Sequence, residues 1–406
     1  MTDATHQPDG WDYALLSGGI LGVFLGLAAA LALAALALTG LLRGNNDAAL
    51  TGEWSASAAL TMGLLCLPAI FYGGSSILGR SVRSRGKPDR RWLYLTVLFP
   101  LSIAAGYLAY EQGIVAGLLG PLSHLAAAGL PVLAAVVVIR RLGPEAPERR
   151  VWGQFLAGLW ITPACALTLE LLALIPLAVT LAIGIRSSID FNALSELMVG
   201  PDPLSSPEYT SLLRGLILQP WVIILVLSYV ALIVPIIEET LKSIAVWPFL
   251  KRGLTPAEAF LSGTLAGGGY ALFEAMFLTQ PGQGWVETML ARVGATFVHV
   301  LTAGLSSWGL VQGFRYGKWA RFGLAALTAI MIHGIWNASA VGIGISVVAE
   351  EAGLAQPGSQ LWPLIGGTGV VVLTIIGGVA LVAPILIARR LSRAESAAVS
   401  DLAPTP

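Results

Sequence analysis

The chain has 406 residues, 56% of them hydrophobic and 11% charged, with 23 basic against 23 acidic side chains and a mean hydropathy of +0.78. A soluble globular domain carries about 25% charged residues, so the composition excludes one and points to an all-α polytopic membrane protein. The only two cysteines, Cys66 and Cys165, lie in apolar stretches, which excludes a disulfide framework and a cysteine-rich metal site; no nucleic-acid partner is expected.

A transmembrane helix needs about 20 apolar residues. Ten segments qualify: 14–42, 56–79, 92–112, 120–139, 153–185, 215–250, 256–278, 293–314, 322–346 and 363–388. The opening residues MTDATHQPDGWD are acidic and carry no basic stretch, so no cleaved signal peptide is expected. Lys and Arg set the orientation. A ten-span topology puts eighteen of the 23 basic residues on one side, in 79–91, 140–150, 251–252, 315–321 and 389–393. Only Arg43, Arg186, Arg214 and Arg292 fall on the other side, and Lys242 lies within a span. Both termini are therefore expected in the cytoplasm.

The loop 186–214, with Pro and Ser breakers and acidic residues, is the longest outside the membrane. It divides an N-terminal bundle of five spans (1–214) from a polar-motif core (215–346), which is succeeded by a last span and cytoplasmic tail (347–406). The first half is Ala-, Leu- and Gly-rich; its polar exception is Glu170, read as a helix–helix contact. Segment 215–250 would reach about 54 Å as one helix against an apolar core of about 30 Å. Pro235 is the expected site of a kink or interruption.

Just after Pro235 come Glu238, Glu239 and Lys242, and three further polar clusters lie in successive spans. They are GGGYALFEAMF with Glu274, FVHVLTAGLSS with His299, and MIHGIWNAS with His333 and Asn337. An ionisable group at mid-bilayer costs about 3 kcal/mol or more, so groups in four neighbouring spans imply a shared polar cavity. Glu238 and Lys242, at i,i+4, share a helix face, while Glu239 turns about 100° away and can meet another partner. His333 and Asn337, also i,i+4, set an imidazole beside an amide. His299, Ala303 and Ser306 form a face with room for an extended peptide or a close helix, and Gly267, Gly268 and Gly269 admit another backbone. Thr255-Pro256-Ala257-Glu258 reads as a capping box opening a helix. Arg292, near the outer interface, reads as an anchor there.

These groups suit hydrolysis. A carboxylate takes a proton from water, and a histidine and an amide donate to a developing oxyanion. Glu238 with His299 and His333 could equally hold zinc, and the residues leave a metal-free and a metal-assisted site both open. Buried ion pairing that fixes helix register is the plain alternative for Glu238, Glu239 and Lys242, and Glu274 could serve as a structural partner of Lys242. HExxH, GxSxG and a phosphate-binding Gly-rich loop are absent from the sequence.

The order Glu238-Glu239-x-x-Lys242, a Gly-rich span with Phe273-Glu274, Arg292 and then His299, and His333-Gly-x-x-Asn337 resembles the PrsW family of intramembrane proteases, within the superfamily that includes the CAAX prenyl endopeptidases. The resemblance covers roughly residues 230–345 and leaves the first five spans outside. It departs at Phe277, where members often carry Tyr, and at Asn337, where some carry Asp. It implies proteolysis within or beside a bacterial cell membrane, on a single-span substrate such as an anti-sigma factor. On that reading Glu238 activates water and Glu239 assists or coordinates. Lys242 holds the acidic pair in its charge state, His299 positions water or binds metal, and His333 with Asn337 stabilises the oxyanion. The family includes enzymes described as metalloproteases and as glutamate proteases, so zinc and no cofactor are both compatible. Two other classes fit the same residues: a proton- or ion-coupled transporter, which predicts matching polar spans in the first half, and an inactive membrane scaffold.

Overall fold

The computed structural model describes residues 8–80, 86–111, 119–188, 207–277, 282, 284–352 and 360–401. Among these residues the chain is helical throughout, with no strand. The α-helices run α1 Gly10–Leu42, α2 Asn46–Leu64, α3 Leu67–Ile77, α4 Leu98–Gly106, α5 Leu119–Leu142, α6 Glu148–Leu156 and α7 Thr162–Ser188. They continue as α8 Pro207–Ile217, α9 Pro220–Ser228, α10 Val234–Lys242, α11 Pro256–Phe277, α12 Trp285–Phe314, α13 Trp319–Glu351 and α14 Leu361–Asp401.

Nine helical stretches among the described residues are long and apolar enough to cross a membrane, and each overlaps one of the ten expected spans. The remaining expected span is α11, a 22-residue helix. Its glycines and Glu274 lower its hydropathy. It is buried along almost its whole length, so protein rather than lipid solvates it and it need not be as apolar as a lipid-facing helix. The predicted capping box opens it: Glu258 N–H donates to Thr255 Oγ1 at 3.2 Å and Thr255 N–H to Glu258 Oε2 at 3.0 Å.

The basic loops meet at one end of the bundle. Arg252 pairs with Asp9 at 2.9 Å, Arg149 with the buried Asp12 at 2.9 Å, Arg140 with Glu148 at 2.6 Å and Arg150 with Glu258 at 2.7 Å. Arg141 donates to Pro88 O at 2.7 Å, and Arg315 donates to Leu254 O. Ala388, late in α14, packs with Ile139, Ala146 and Phe260 near the same end. Away from these loops, Arg214 pairs with Glu351 at 2.8 Å. Residues 189–206, most of the expected outer loop, lie outside the described residues.

The N-terminal helices pack on the motif helices in one apolar cluster. It joins Leu15, Met62, Phe155 and Leu159 to Ala271, Met276 and Trp285. The glycine triplet makes this contact close on two sides. A Cβ at Gly267 would stand 2.3 Å from His299 O, and one at Gly269 would stand 2.2 Å from Phe155 O. Any side chain there would push backbone apart. The space expected beneath His299 is thus filled by a close helix, α11.

Pro235 interrupts its span as expected. Tyr229–Ile233 form a π-helical turn, and α10 restarts at Val234 with Pro235 in its first turn. Beyond Lys242 the chain tightens into 3₁₀ turns at Ser243–Ala245 and Trp247–Arg252. Pro235 has no N–H to give. In π spacing its acceptor is Val230 O, five residues back. That carbonyl is instead met by the Asn337 side chain, whose Nδ2 donates to it at 3.0 Å.

Candidate active site

The short helix α10 carries Glu238, Glu239 and Lys242, all buried. Lys242 is fully enclosed. Its Nζ hydrogen-bonds Glu239 Oε1 at 2.7 Å and His299 Nδ1 at 2.8 Å. It also forms an ion pair with Glu238 Oε2 at 2.9 Å, and lies 4.6 Å above the centre of the Tyr270 ring. Both glutamates therefore share Lys242. The expectation that Glu239 turns away to another partner holds only in part, because positions i+3 and i+4 both lie near the same face.

An ammonium only donates, so His299 accepts at Nδ1 and carries its proton at Nε2. That N–H donates to Glu274 Oε2 at 2.8 Å. Arg292 donates to the same oxygen at 2.9 Å. Two expectations change here. Glu274 partners His299 and Arg292 rather than Lys242, and Arg292 reaches inward rather than anchoring at the interface. Arg292 and His299 are seven residues apart on α12, hence on one face, and this spacing was the available signal.

His333 Nδ1 donates to Glu239 Oε1 at 2.9 Å, while its Nε2 lies 3.9 Å from Glu238 Oε2. Its position depends on Gly334, where a Cβ would meet Ala231 O at 2.3 Å; the glycine lets α13 close on the π-turn. Glu239 Oε1 also accepts from Thr302 Oγ1 at 3.0 Å. One oxygen of Glu239 thus takes three hydrogen bonds, while Oε2 is buried with none; Glu238 Oε2 keeps its pairing with Lys242. Sequence reasoning missed Thr302 and Tyr270. Both sit one helical turn from a motif residue, Thr302 from His299 and Tyr270 from Glu274.

A cavity of about 250 Å³ opens against this cluster. Glu238, Glu274, Arg292, His299, His333 and Asn337 line it, and from α7 Leu167 and Glu170 join them. Glu239 is not among the lining residues, so the two adjacent carboxylates differ in position. Glu238 faces the cavity, and Glu239 braces Lys242, His333 and Thr302 behind it. Glu170, read from sequence as a helix contact, makes that contact through its backbone: Tyr229 Oη donates to its carbonyl at 2.9 Å.

The donor set fits a divalent ion such as zinc. Glu238, Glu239, His299 and His333 are all buried, and one ligand atom from each lies within 4.8 Å of the others. One carboxylate oxygen there, Glu239 Oε2, lacks a hydrogen-bond partner, and His299 is backed by a carboxylate as metal-bound histidines usually are. Lys242 touches three of these four residues, so its ammonium and an ion would compete for the same lone pairs.

A helical membrane bundle closed around buried acids, imidazoles and a lysine defines an integral membrane protein with an internal polar centre. Residues 211–357 match the family model described as PrsW family intramembrane metalloprotease. That stretch runs from α8 to just past α13 and contains every residue of the cluster on α10 to α13; Glu170 lies outside it. The match supports an intramembrane protease. Neither the curated proteins nor the solved structures include a match to this chain.

Proposed function

We propose that the chain is an intramembrane endopeptidase that cleaves single-span proteins of a bacterial cell membrane, an anti-sigma factor being one such substrate. The observation that carries this reading is the division of labour between the two glutamates. Glu238, ion-paired to Lys242, lines the cavity wall, while Glu239 is held from behind.

Glu238 takes a proton from a water in the cavity as that water attacks the scissile carbonyl, and returns it to the departing amine. Lys242 pairs with both carboxylates at membrane depth. Glu239 fixes His333 through Nδ1, leaving Nε2 towards Glu238. Protonated, that nitrogen donates to the developing oxyanion together with the amide of Asn337, whose other N–H is free of Val230 O. Glu274 and Arg292 hold His299 in one tautomer. If zinc is bound, Glu238, Glu239, His299 and His333 would hold it, and it would act as a Lewis acid that lowers the pKa of water.

The test uses purified protein and a fluorescence-quenched single-span peptide with a Gly-Gly centre. Glu238→Gln should lower cleavage by about 10²–10⁴-fold with thermal unfolding unchanged; full activity in this variant sinks the assignment of Glu238, and no cleavage by the parent protein sinks the protease reading. Metal analysis, with chelator and zinc add-back, separates the two chemistries. Loss with chelator and recovery with zinc select the metal-assisted one.

A further inference from the structure

We infer that Glu170 is a specificity-determining residue that accepts hydrogen bonds from backbone N–H groups of the bound substrate. The inference rests on the protease reading above. Glu170 belongs to α7, outside the matched stretch 211–357, yet it lines the same cavity as Glu238 and His333. Its backbone is pinned by Tyr229. Its side chain ends in a buried oxygen, Oε1, with no hydrogen-bond partner.

The charged and titratable groups that act on this carboxylate are Glu238, Glu274, Lys242 and His333. The cations close to the site are already engaged: Lys242 by Glu238, Glu239 and His299, and Arg292 by Glu274. Glu170 Oε1 is therefore an acceptor on the cavity side that these cations leave unpaired. Its neighbours Leu169, Leu171 and Leu172 are exposed along the outer face of α7, which places the carboxylate where the cavity wall meets lipid.

A peptide bond can be attacked only once its helix is opened. Opening frees backbone N–H groups at a depth where water does not satisfy them and each costs several kcal/mol. An unpartnered carboxylate at the cavity edge offsets that cost for a substrate segment extended beside Glu238, and for no segment that stays helical. Glu170 thus selects substrates by their readiness to unwind.

The experiment is a coupling cycle on the Glu238→Gln background, where the peptide of the cleavage assay binds without turnover. Affinity is measured for that peptide and for analogues in which single central amides are replaced by esters, which removes one N–H each. Glu170→Leu should weaken binding of the all-amide peptide about tenfold. One ester analogue should show the same loss against the Glu170 protein and no further loss against Glu170→Leu. Glu170→Gln, which keeps a carbonyl acceptor, should bind within about twofold of the parent. Glu170→Met replaces Glu170→Leu should the latter not fold. Unchanged affinity in Glu170→Leu, losses that multiply for every ester, or a Gln variant as weak as Leu would each overturn the inference. Absence of peptide cleavage by the parent protein would instead remove the protease reading, and is scored separately from the affinity cycle.

Discussion

Two buried histidine centres stand in this bundle, and they are built differently. His124 on α5 is fully enclosed; it accepts from Trp285 Nε1 at Nδ1 (3.1 Å) and its Nε2 donates to Met276 O (3.3 Å). Trp54 packs edge-on against it. Its two ring nitrogens are thus met by an indole and a carbonyl, neither of which titrates. His299 is also buried, but its nitrogens meet the ammonium of Lys242 and the carboxylate of Glu274. His333, edge-on to it with ring centres 5.2 Å apart, meets two carboxylates. Burial therefore does not distinguish a packing histidine from a working one. The distinction lies in whether the partners can exchange charge, and whether a cavity and unsatisfied acceptors lie alongside.

The contrast can be broken by substitution. The largest expected effect is the loss of cleavage in Glu238→Gln, with no counterpart at His124. Lys242→Met comes next. It leaves Glu238 and Glu239 without their shared cation, and breaking a buried pair in this way costs about 3–5 kcal/mol, read as a fall in thermal stability. Since the ammonium competes with an ion for the same donors, added zinc should recover part of that stability. A Lys242→Met protein that neither loses stability nor responds to zinc would mean the cluster does not depend on its cation. His124→Leu strands the Trp285 N–H and the Met276 carbonyl and should cost about 1–3 kcal/mol. The folded fraction should still cleave the peptide at the parent rate; a fall in that rate would make His124 part of the chemistry and erase the contrast. The smallest effect is on stability in Asn337→Ala, about 1 kcal/mol from the bond to Val230 O. A drop in cleavage well beyond that loss would sharpen the amide's role at the oxyanion.

Much of the site was legible in the chain because charges at membrane depth are costly and so stand out. Glu238, Glu239, Lys242, Glu274, His299, His333 and Asn337 could all be singled out this way, and the structure brings them to one cluster and cavity. Their pairing was less legible. Lys242 reaches both i−3 and i−4 acids, so helical phase alone could not divide Glu238 from Glu239. Arg292 was misread because its place near a span end suits an interface anchor equally well, and only the approach of α11 shows that Glu274 is within reach. Glu170 carries no local sign of its role, since an acid in an apolar helix reads the same whether it braces a neighbour or faces a cavity.

By itself, the sequence determined the features that depend on the cost of transfer between water and lipid. These are the all-α class, the spans and their basic end, the break at Pro235 and the identity of the polar residues that must cluster. The tertiary structure decided which oxygen faces the cavity and which is sealed, that α11 is the buried centre rather than a lipid-facing span, and that a helix from the first half supplies one wall. These depend on how closely backbones approach at Gly267, Gly269 and Gly334 and on the frame shift of the π-turn. They are set by contacts between segments far apart in the chain, to which hydropathy and helical periodicity are blind.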